Sequence, residues 1–423
     1  MAYTLISMIG TGMYKTEENF EGYKETDYFF NNEKHFKTRL FMQAVLECND
    51  KPINQIILLG TNTSSWDCLI DKDNDEREET ISLWDSLFDQ CESKEKGIRP
   101  LGISEENRGK LEAYLSERFG IQVLIRLHTD KIDDNTAKEL FECYAEVTEI
   151  ANKDNDILFD ITHGFRSMPV LLYQSLQYSL SLSNDRDVEI IYGELDLIDK
   201  AKGYARSLSS YWNYSELSSA LKIFENKLDG FKLADLIAKD WEKVSKTIKR
   251  FSEIVQTNFA LQIFDVARQM KNALASYPQN APSWLNKVKE VLESICTFVD
   301  EKNKAKSLYR YSEFLYAHKL NVQAIITLQI AVEVSIVSKY GEEKNLGDYD
   351  WWQNTGRSKL NGIKDDNWKE LGNPLTNLEA FRNQIAHGGG QNRDGGYPNA
   401  NNIPNIYKSG QRGVETLLKY LDL

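Results

Sequence analysis

A segment at residues 156–169, DILFDITHGFRSMP, constrains the fold of this chain more than any other. An apolar run of strand length leads into polar and flexible residues, and Pro169 then opens a long apolar helix. Open α/β sheets build ligand sites at such points, where the carboxyl end of a buried strand meets a helix N-terminus whose free N–H groups favour anions. With Ser167 as the predicted N-cap, residues 160–166 form a loop suited to an anionic ligand.

Strand-like apolar runs alternate with helical segments throughout residues 1–198. This alternation predicts an α/β domain with a mostly parallel, doubly wound sheet flanked by helices. The strand at residues 3–9 ends in Gly10-Thr11-Gly12, and the strand at residues 53–59 ends in the hydroxyl- and amide-rich segment GTNTSSWD. Because the carboxyl ends of parallel strands share one sheet edge, these loops and the loop at 160–166 predict one polar ligand site. Ordinary turns and caps use the same residue types, and that alternative stays open.

From Lys200 onward the hydrophobic spacing becomes helical, and we find no convincing strand. We expect a helical connector over residues 199–310 and an all-α core over residues 311–423. Residues 319–340 are apolar on nearly every face, which predicts a helix at the centre of a bundle. Glu333 within it must be paired or lie at a cleft edge. It either positions an arginine or lies on a narrow wet stripe, and the sequence leaves both open.

A second polar cluster lies on a helix with clear sequence boundaries. Asn373 is the predicted N-cap, Pro374 occupies the favoured first position, and glycines at residues 388–390 end the helix. Arg382 lies at the edge of the apolar stripe, where an arginine is costly unless an anionic group meets it. His387 precedes the glycines, and histidine suits proton transfer near neutral pH, although a helix C-terminus favours histidine in any case.

Charge and cysteine content restrict the function. The formal net charge is −13, so a nucleic acid must enter a local site, because binding over a broad patch needs a basic surface. The five cysteines are scattered without a C-x-x-C pair, which argues against zinc or disulfides and for a reducing, cytoplasmic location. We find no metal-ligand spacing, no signal peptide and no apolar run of about 18–20 residues, and so expect neither a metal nor a membrane span.

Two motifs resemble those of known families. D-x-T-H-G followed by F-R-S-x-P at residues 160–169 resembles the hallmark of the CRISPR-associated DxTHG family, whose N-terminal sensor is a CARF domain. The string RNQIAH at residues 382–387 is similar to the R-x4-H motif of HEPN ribonucleases. Together they resemble a CARF–HEPN ribonuclease of type III CRISPR antiviral defence. The resemblance implies a Rossmann-like CARF domain over residues 1–198, followed by an all-α HEPN domain with its core at residues 311–423.

The resemblance also implies a ligand for the first domain. The ligand is a cyclic oligoadenylate, which acts as an allosteric activator, and no cofactor is expected. A two-fold symmetric ring fits a two-fold interface, which favours cyclic tetra-adenylate bound across a homodimer or higher homo-oligomer. A segment similar to GTNTSSWD follows the second strand in this family. The candidate ligand residues are Gly10, Thr11, Gly12, Asn62, Ser64, Ser65, Asp160, Thr162, His163, Gly164, Arg166 and Ser167.

For the second domain the resemblance implies metal-independent cleavage of single-stranded RNA. Attack by the 2′-hydroxyl would leave 2′,3′-cyclic phosphate and 5′-hydroxyl ends, with Arg382, His387 and Asn383 as the catalytic residues. Arginine matches phosphate geometry, and histidine transfers protons. Residues five positions apart lie about 140° apart around a helix axis, so one helix makes an awkward site. HEPN domains resolve this by pairing two motif copies across a dimer.

Two other functions remain open. In one, the chain is a non-catalytic sensor whose helical half recruits a partner, and alanine at Arg382 and His387 then leaves its function intact. In the other, the loop at residues 160–167 also degrades the cyclic ligand, with Thr162, His163 and Ser167 as its reactive groups. Prolonged incubation of ligand with protein distinguishes that activity. We expect no DNA or membrane partner in any of these cases.

Overall fold

The computed structural model divides into two compact units, Met1–Tyr214 and Ser215–Leu423. Each unit has its own buried core, and each is described separately below. The residues that the structure describes are 2–11, 23–31, 33–72, 74–91, 100–129, 131, 133, 136–164, 168–182, 186–199, 201–277, 282–299, 301–386 and 400–423.

The N-terminal unit is built on an eight-stranded sheet, as far as its described residues show. The strands are β1 (Tyr3–Ile9), β2 (Thr26–Phe29), β3 (His35–Thr38), β4 (Ile53–Thr61), β5 (Gln122–His128), β6 (Asp156–Asp160), β7 (Val188–Leu195) and β8 (Lys202–Ser207). Their spatial order is β3-β2-β8-β7-β6-β1-β4-β5. The pairs β2/β3 and β7/β8 are antiparallel, and the other pairs are parallel. The predicted mostly parallel α/β fold is confirmed.

Helices cover both faces of this sheet. They are α1 (Phe41–Cys48), α2 (Glu78–Cys91), α3 (Glu105–Phe119), α4 (Ala137–Ile150) and α5 (Met168–Leu182). Alternate residues of β1 enter different cores, because successive side chains of a strand point to opposite faces. Leu5 and Ile9 belong to the core that includes α1, α2 and α3, whereas Ile6 and Met8 belong to the core that includes α4 and α5. Burial on both faces explains the continuous apolar runs of the central strands.

The remaining helices are α6 (Ser209–Lys227), α7 (Phe231–Ile237), α8 (Glu242–Thr257), α9 (Ile263–Ala275), α10 (Ser283–Phe298), α11 (Lys304–Ala317), α12 (Asn321–Tyr340), α13 (Tyr349–Trp351), α14 (Arg357–Asp366), α15 (Asn373–Ala386) and α16 (Ile403–Leu421). One hydrophobic core, which extends from Ala220 to Leu421, holds the C-terminal unit together. The predicted segments 199–310 and 311–423 both contribute to this core. The second half of the chain is helical, as predicted, from Ser209 onward.

Helix α12 is the central helix of the C-terminal unit, as its uniform hydrophobicity predicts. It packs against α11, α15 and α16. By length and composition alone α12 is apolar enough to cross a membrane, so the expectation that no apolar run reaches that length was wrong. In the structure 61% of its most apolar window is buried, which is the behaviour of a core helix in a bundle.

Two π-helical segments, Trp352–Gly356 and Trp368–Gly372, flank α14. In each segment the tryptophan ring covers the glycine four residues later, and a Cβ at either glycine would overlap that ring. Such turns are uncommon and occur frequently at functional sites. The second segment continues directly into α15, so Asn373 has helical φ and ψ of −65° and −50° and its prediction as an N-cap was wrong.

One other local prediction was wrong. Strand β8 lies where no strand was expected, because its inward positions are Gly203 and Ala205, which carry little hydrophobic signal. The ring of Tyr28 fills the space above Gly203, where a Cβ would lie 2.6 Å from the Cδ1 atom of Tyr28. Helix α1 begins only at Phe41, because residues 35–38 pair with β2 as strand β3.

Candidate functional site

The first candidate site lies at the carboxyl edge of the sheet, between β1 and β6. After β1 the chain forms β2 and β3 at the far edge of the sheet and then returns to β4 beside β1, whereas after β6 it continues to β7 on the other side. Ligands of doubly wound sheets bind at the point where the order of the parallel strands reverses in this way. A Cβ built on Gly10 would lie 3.2 Å from the backbone nitrogen of Gly164, so the two loops approach closely. Gly164 has φ of 107°, which other residues rarely adopt. Both glycines therefore shape the crevice.

Asp160 ends β6 and is completely buried. Its Oδ2 accepts a 2.7 Å hydrogen bond from Ser7 Oγ, and its Oδ1 accepts a 2.9 Å bond from the backbone N–H of Thr162. The Thr162 hydroxyl in turn accepts a 2.8 Å bond from the N–H of Gly193. In this geometry Asp160 and Thr162 fix the loop between β6 and α5 to both neighbouring strands.

Ser64 and Ser65 connect the loop after β4 to the end of β1. Ser64 Oγ donates a 2.8 Å hydrogen bond to the carbonyl of Ile9 and accepts a 2.9 Å bond from the N–H of Thr61. Ser65 Oγ donates a 2.8 Å bond to the carbonyl of Thr11, and the Ser65 N–H donates a 2.9 Å bond to the carbonyl of Gly10. Both serines are buried. Their hydroxyls hold the Gly10–Thr11 turn in place.

His163 lies behind the same crevice. The backbone N–H of Phe41 donates a 3.2 Å hydrogen bond to Nε2 of His163, which requires that nitrogen to be unprotonated. Burial lowers the pKa of His163, and the Asp160 carboxylate opposes this shift. Tyr23 packs edge-on against the His163 ring at a centroid distance of 4.7 Å and accepts a 2.7 Å bond from the N–H of Gly10. The imidazole is therefore held neutral and in a fixed orientation.

A cavity of about 460 Å³ opens beside this crevice, at the carboxyl ends of β4 and β5. The exposed residue Asn62 lines it together with His128, Thr129 and Leu101. His128 Nδ1 donates a 3.0 Å hydrogen bond to the Thr129 carbonyl, and burial lowers the pKa of His128 while this bond opposes the shift. Our sequence analysis missed His128, although it ends a parallel strand and the strand-end rule applies to it. No sequence pattern marks Tyr23 as a site residue, because only folding of the chain brings it next to His163.

The second candidate site is a cavity of about 550 Å³ within the C-terminal unit. Arg382 and Asn383 line it from α15, and both side chains are partly exposed. Arg382 Nη1 donates a 3.1 Å hydrogen bond to Asn383 Oδ1, which orients the guanidinium. Glu333 and Gln329 line it from α12. The cavity thus gathers a cation, a carboxylate and two amides.

Glu333 shares this cavity with Arg382. Burial raises the pKa of Glu333, while the positive charge of Arg382 and a hydrogen bond from Gln329 act in the opposite direction. This placement favours the interpretation that Glu333 positions an arginine over the interpretation that it lies on a solvent-facing stripe. The carboxylate and guanidinium are neighbours in a partly desolvated site.

A further ion-pair network lines the same cavity. Arg357 Nη2 donates a 2.5 Å hydrogen bond to Oε1 of Glu379, and Nζ of the buried Lys364 lies 3.5 Å from Oε2 of Glu379. Arg357 Nη1 also donates a 2.9 Å bond to Gln353 Oε1. Our sequence analysis did not identify these residues, because three separate elements contribute them.

Four of the predicted site residues lie outside the described part of the chain. They are Gly12, Arg166, Ser167 and His387. Of the others, the structure brings Gly10, Thr11, Ser64, Ser65, Asp160, Thr162, His163 and Gly164 to one crevice. Asn62 lines the neighbouring cavity, and Arg382 and Asn383 line the cavity of the C-terminal unit.

Comparison with known proteins gives one match to the first unit and two matches that extend over most of the chain. Residues 4–196 match the family model for the CARF domain of the CRISPR system endoribonuclease Csx1. The CRISPR-associated protein MJ1674 of Methanocaldococcus jannaschii is 22% identical over 416 residues, which covers 92% of this chain. The chain spans 62% of the length of that curated relative. A solved structure, Enterococcus italicus Csm6 bound to cyclic hexa-2′-fluoro-hexa-dAMP, aligns with a TM-score of 0.41 and 14% identity, covering 100% of this chain and 94% of Csm6.

Proposed function

We propose that this chain, whose residues 4–196 match the family model for the Csx1 CARF domain, is a cyclic oligoadenylate-activated endoribonuclease. One observation carries the nuclease half of the proposal. Arg382 and Asn383 line a cavity of about 550 Å³ in the C-terminal unit, and the R-x4-H string that they begin ends at His387. A guanidinium at a cavity of nucleotide size is a suitable partner for an RNA phosphate. The chain would act in the cytoplasm as part of type III CRISPR antiviral defence.

The activator would bind at the carboxyl edge of the N-terminal sheet. Gly10 and Gly164 let the two loops of this edge pack closely, because a Cβ would lie 3.2 Å from the Gly164 backbone nitrogen in one case and 3.2 Å from the Met8 Cβ in the other. The cavity of about 460 Å³ beside it has room for a nucleotide portion of the ring. Cyclic tetra-adenylate suits a homodimer, since its two-fold symmetry matches that of an isologous interface.

The cleavage chemistry would depend on side chains alone. Arg382 would contact the scissile phosphate and stabilise the charge that develops on it, because guanidinium is always protonated and matches phosphate geometry. Asn383 would hold Arg382 in orientation through the 3.1 Å hydrogen bond. His387 would transfer the proton between the 2′-hydroxyl and the leaving 5′-oxygen. The products are a 2′,3′-cyclic phosphate and a 5′-hydroxyl.

Two chains would act together. On an ideal helix, residues five positions apart lie about 140° apart around the axis, and this is the spacing of the R-x4-H string, so pairing two copies of the motif would give a more complete site. The activator would then raise activity by binding the productive arrangement of the pair more tightly than the resting one. We infer a homodimer as the minimal active form.

Analysis of the RNA ends tests the proposed reaction. Single-stranded RNA is incubated with protein, cyclic tetra-adenylate and EDTA, and the products are treated with polynucleotide kinase lacking 3′-phosphatase activity. We expect 5′-hydroxyl ends that accept phosphate and 3′ ends that resist ligation until the cyclic phosphate is opened and the resulting phosphate is removed. Products with 5′-phosphates, or cleavage that requires a divalent metal, would contradict the proposed chemistry. Intact RNA at every activator tested would favour the non-catalytic sensor.

A further inference from the structure

Glu333 is a carboxylic acid that lines the cavity of the C-terminal unit without a fixed ion-pair partner. It lies on α12 and is partly exposed. In the described part of the chain no cation lies within ion-pair distance of its carboxylate, and its side chain bonds the amide of Gln329 one turn earlier. The carboxylate can therefore exchange a proton with a molecule that enters the cavity.

The other two acidic residues among the described lining of this cavity have structural roles. Glu379 Oε1 accepts a 2.5 Å hydrogen bond from Arg357, and its Oε2 lies 3.5 Å from Nζ of the buried Lys364. Asp348 caps α13, because its Oδ1 accepts a 3.0 Å hydrogen bond from a backbone N–H of that helix. Bonds of this kind favour the ionised carboxylate and make it a weaker base. Glu333 is thus the carboxylate of this set best suited to accept a proton.

The electrostatic surroundings of Glu333 increase its basicity. Burial is the main cause that raises its pKa, and the negative charge of Glu379 acts in the same direction. The positive charges of Arg382 and Arg357 and the hydrogen bond with Gln329 oppose the shift. A carboxylate whose pKa is raised toward neutrality is a better proton acceptor than an ordinary one, and catalytic carboxylates are commonly tuned in this way.

The position of Glu333 also suits the chemistry of RNA. Glu333 on α12 and Arg382 on α15 line the same cavity of about 550 Å³. In RNA the attacking 2′-hydroxyl is on the ribose carbon next to the one that carries the scissile phosphate. A group that binds this phosphate and a group that takes the 2′ proton must therefore share one cavity, as Arg382 and Glu333 do.

We propose that Glu333 is the general base of RNA cleavage and accepts the proton of the attacking 2′-hydroxyl. The inference rests on the proposed ribonuclease function and divides its proton transfers between two residues. As the 2′-oxygen bonds to phosphorus, its O–H bond breaks and the proton passes to a carboxylate oxygen of Glu333. The bond between phosphorus and the 5′-oxygen breaks, and the 5′-oxygen takes a proton from His387. Arg382 stabilises the charge on the non-bridging oxygens.

The pH dependence of kcat/KM tests this role. The full-length protein cleaves fluorescent single-stranded RNA in EDTA with cyclic tetra-adenylate over about pH 4–9. We expect the wild-type rate to rise with pH as Glu333 ionises and to fall again as the imidazolium loses its proton. Glu333→Gln keeps the size of the side chain but cannot act as a base, so we expect about 10²- to 10⁴-fold slower cleavage without the rise at acidic pH.

Two comparisons separate this loss from misfolding and from a general charge effect. Glu415→Gln changes an exposed carboxylate on α16, and its rate and pH profile should match those of the wild type. Thermal unfolding checks that Glu333→Gln is folded. Binding of 2′-O-methyl RNA, which cannot be cleaved through the 2′-oxygen, should be unchanged in Glu333→Gln, because a general base acts on the rate and not on binding.

A sulfur leaving group distinguishes a base from an acid. RNA with a bridging 5′-sulfur at the cleavage site needs little protonation of its leaving group, because a thiolate is a much weaker base than an alkoxide. Glu333→Gln should remain slow on this substrate, whereas His387→Ala should recover most of its lost rate. Recovery by Glu333→Gln would overturn the inference, since it would make Glu333 the acid.

Other results would also overturn the inference, and they differ from failure of the proposed function. Weaker binding of 2′-O-methyl RNA by Glu333→Gln, with the rise at acidic pH retained, would show that Glu333 only positions Arg382. An unchanged rate in Glu333→Gln would reject the base alone and leave the ribonuclease intact. Intact RNA after incubation of the wild type with cyclic tetra-, hexa- and tri-adenylate would reject the proposed function and the base with it.

Discussion

Ser7 Oγ donates a 2.7 Å hydrogen bond to Oδ2 of Asp160, its register neighbour on the adjacent parallel strand. The bond joins β1 and β6 at the sheet edge where we place the activator. Because Asp160 is buried with both oxygens bonded, it acts on the site through the loop that it holds.

Replacing Asp160 tests this positioning role. Asp160→Ala leaves the Thr162 N–H and the Ser7 hydroxyl without their acceptor, and each unsatisfied buried group costs about 1–3 kcal/mol. We expect a lower melting temperature and at least tenfold weaker binding of cyclic tetra-adenylate, measured by calorimetry. Asp154→Ala is the control, because Asp154 is exposed just before β6. Unchanged stability and affinity in Asp160→Ala would refute the role.

Gly164 is expected to tolerate no side chain. Its φ of 107° is strained for alanine by roughly 1–3 kcal/mol, and a Cβ there would lie 3.2 Å from the Cβ of Met8. Gly164→Ala should therefore lower stability, because the added methyl group presses on Met8 of β1. Gly109→Ala on α3 is the matched control, since a Cβ there meets no atom within 4 Å and should stabilise the helix by about 0.5–1 kcal/mol. Thermal unfolding that ranks the two variants in the opposite order would contradict this expectation.

Glu333 should make stability depend on pH. Burial raises its pKa in the folded chain. Below about pH 4.3, the ordinary glutamate pKa, the group is neutral in both states and its burial costs no ionisation free energy. As pH rises above that value, the glutamate ionises first in the unfolded chain. The free energy of unfolding therefore falls until Glu333 also ionises in the folded chain. Glu333→Gln should therefore gain melting temperature over the wild type between pH 5 and 8. Glu415→Gln, at an exposed position on α16, is the control and should show no such gain.

Arg357 is expected to protect RNA binding from the charge of Glu379. Arg357→Ala removes the 2.5 Å hydrogen bond to Glu379 and one positive charge from the cavity wall. We expect roughly tenfold weaker binding of single-stranded RNA, about 1.4 kcal/mol, with little change in activator affinity. Lys359→Ala removes an exposed charge from the same helix and serves as the control. Equal effects of the two variants would assign the loss to net charge alone.

The sequence predicts the sheet well because its central strands are buried on both faces. The apolar runs of β1, β4 and β6 have that origin, and the polar residues that follow mark the functional edge. Strand β8 was missed because Tyr28 supplies the apolar bulk above Gly203 from a different strand. Such a signal lies in tertiary packing and cannot be read from the strand itself.

The same limit applies to the candidate sites. Motif residues such as Gly164 and Arg382 stand out in the sequence, but their roles depend on partners distant in the chain. Asp160 is hydrogen-bonded to Ser7, and Glu379 to Arg357, and no local sequence pattern predicts either contact. The π-helical segments also escape prediction, because a tryptophan four residues before a glycine is compatible with an ordinary helix as well.

Cleavage of a fluorescent single-stranded RNA in EDTA tests the central claim most directly. The assay compares the wild type with the Arg382→Ala/His387→Ala double variant, each with and without cyclic tetra-adenylate. The same comparison is then made with cyclic hexa-adenylate and with cyclic tri-adenylate. We predict cleavage by the wild type that depends on one of these rings and is abolished in the double variant. Intact RNA with all three rings, or equal cleavage by the double variant, would contradict the proposed ribonuclease.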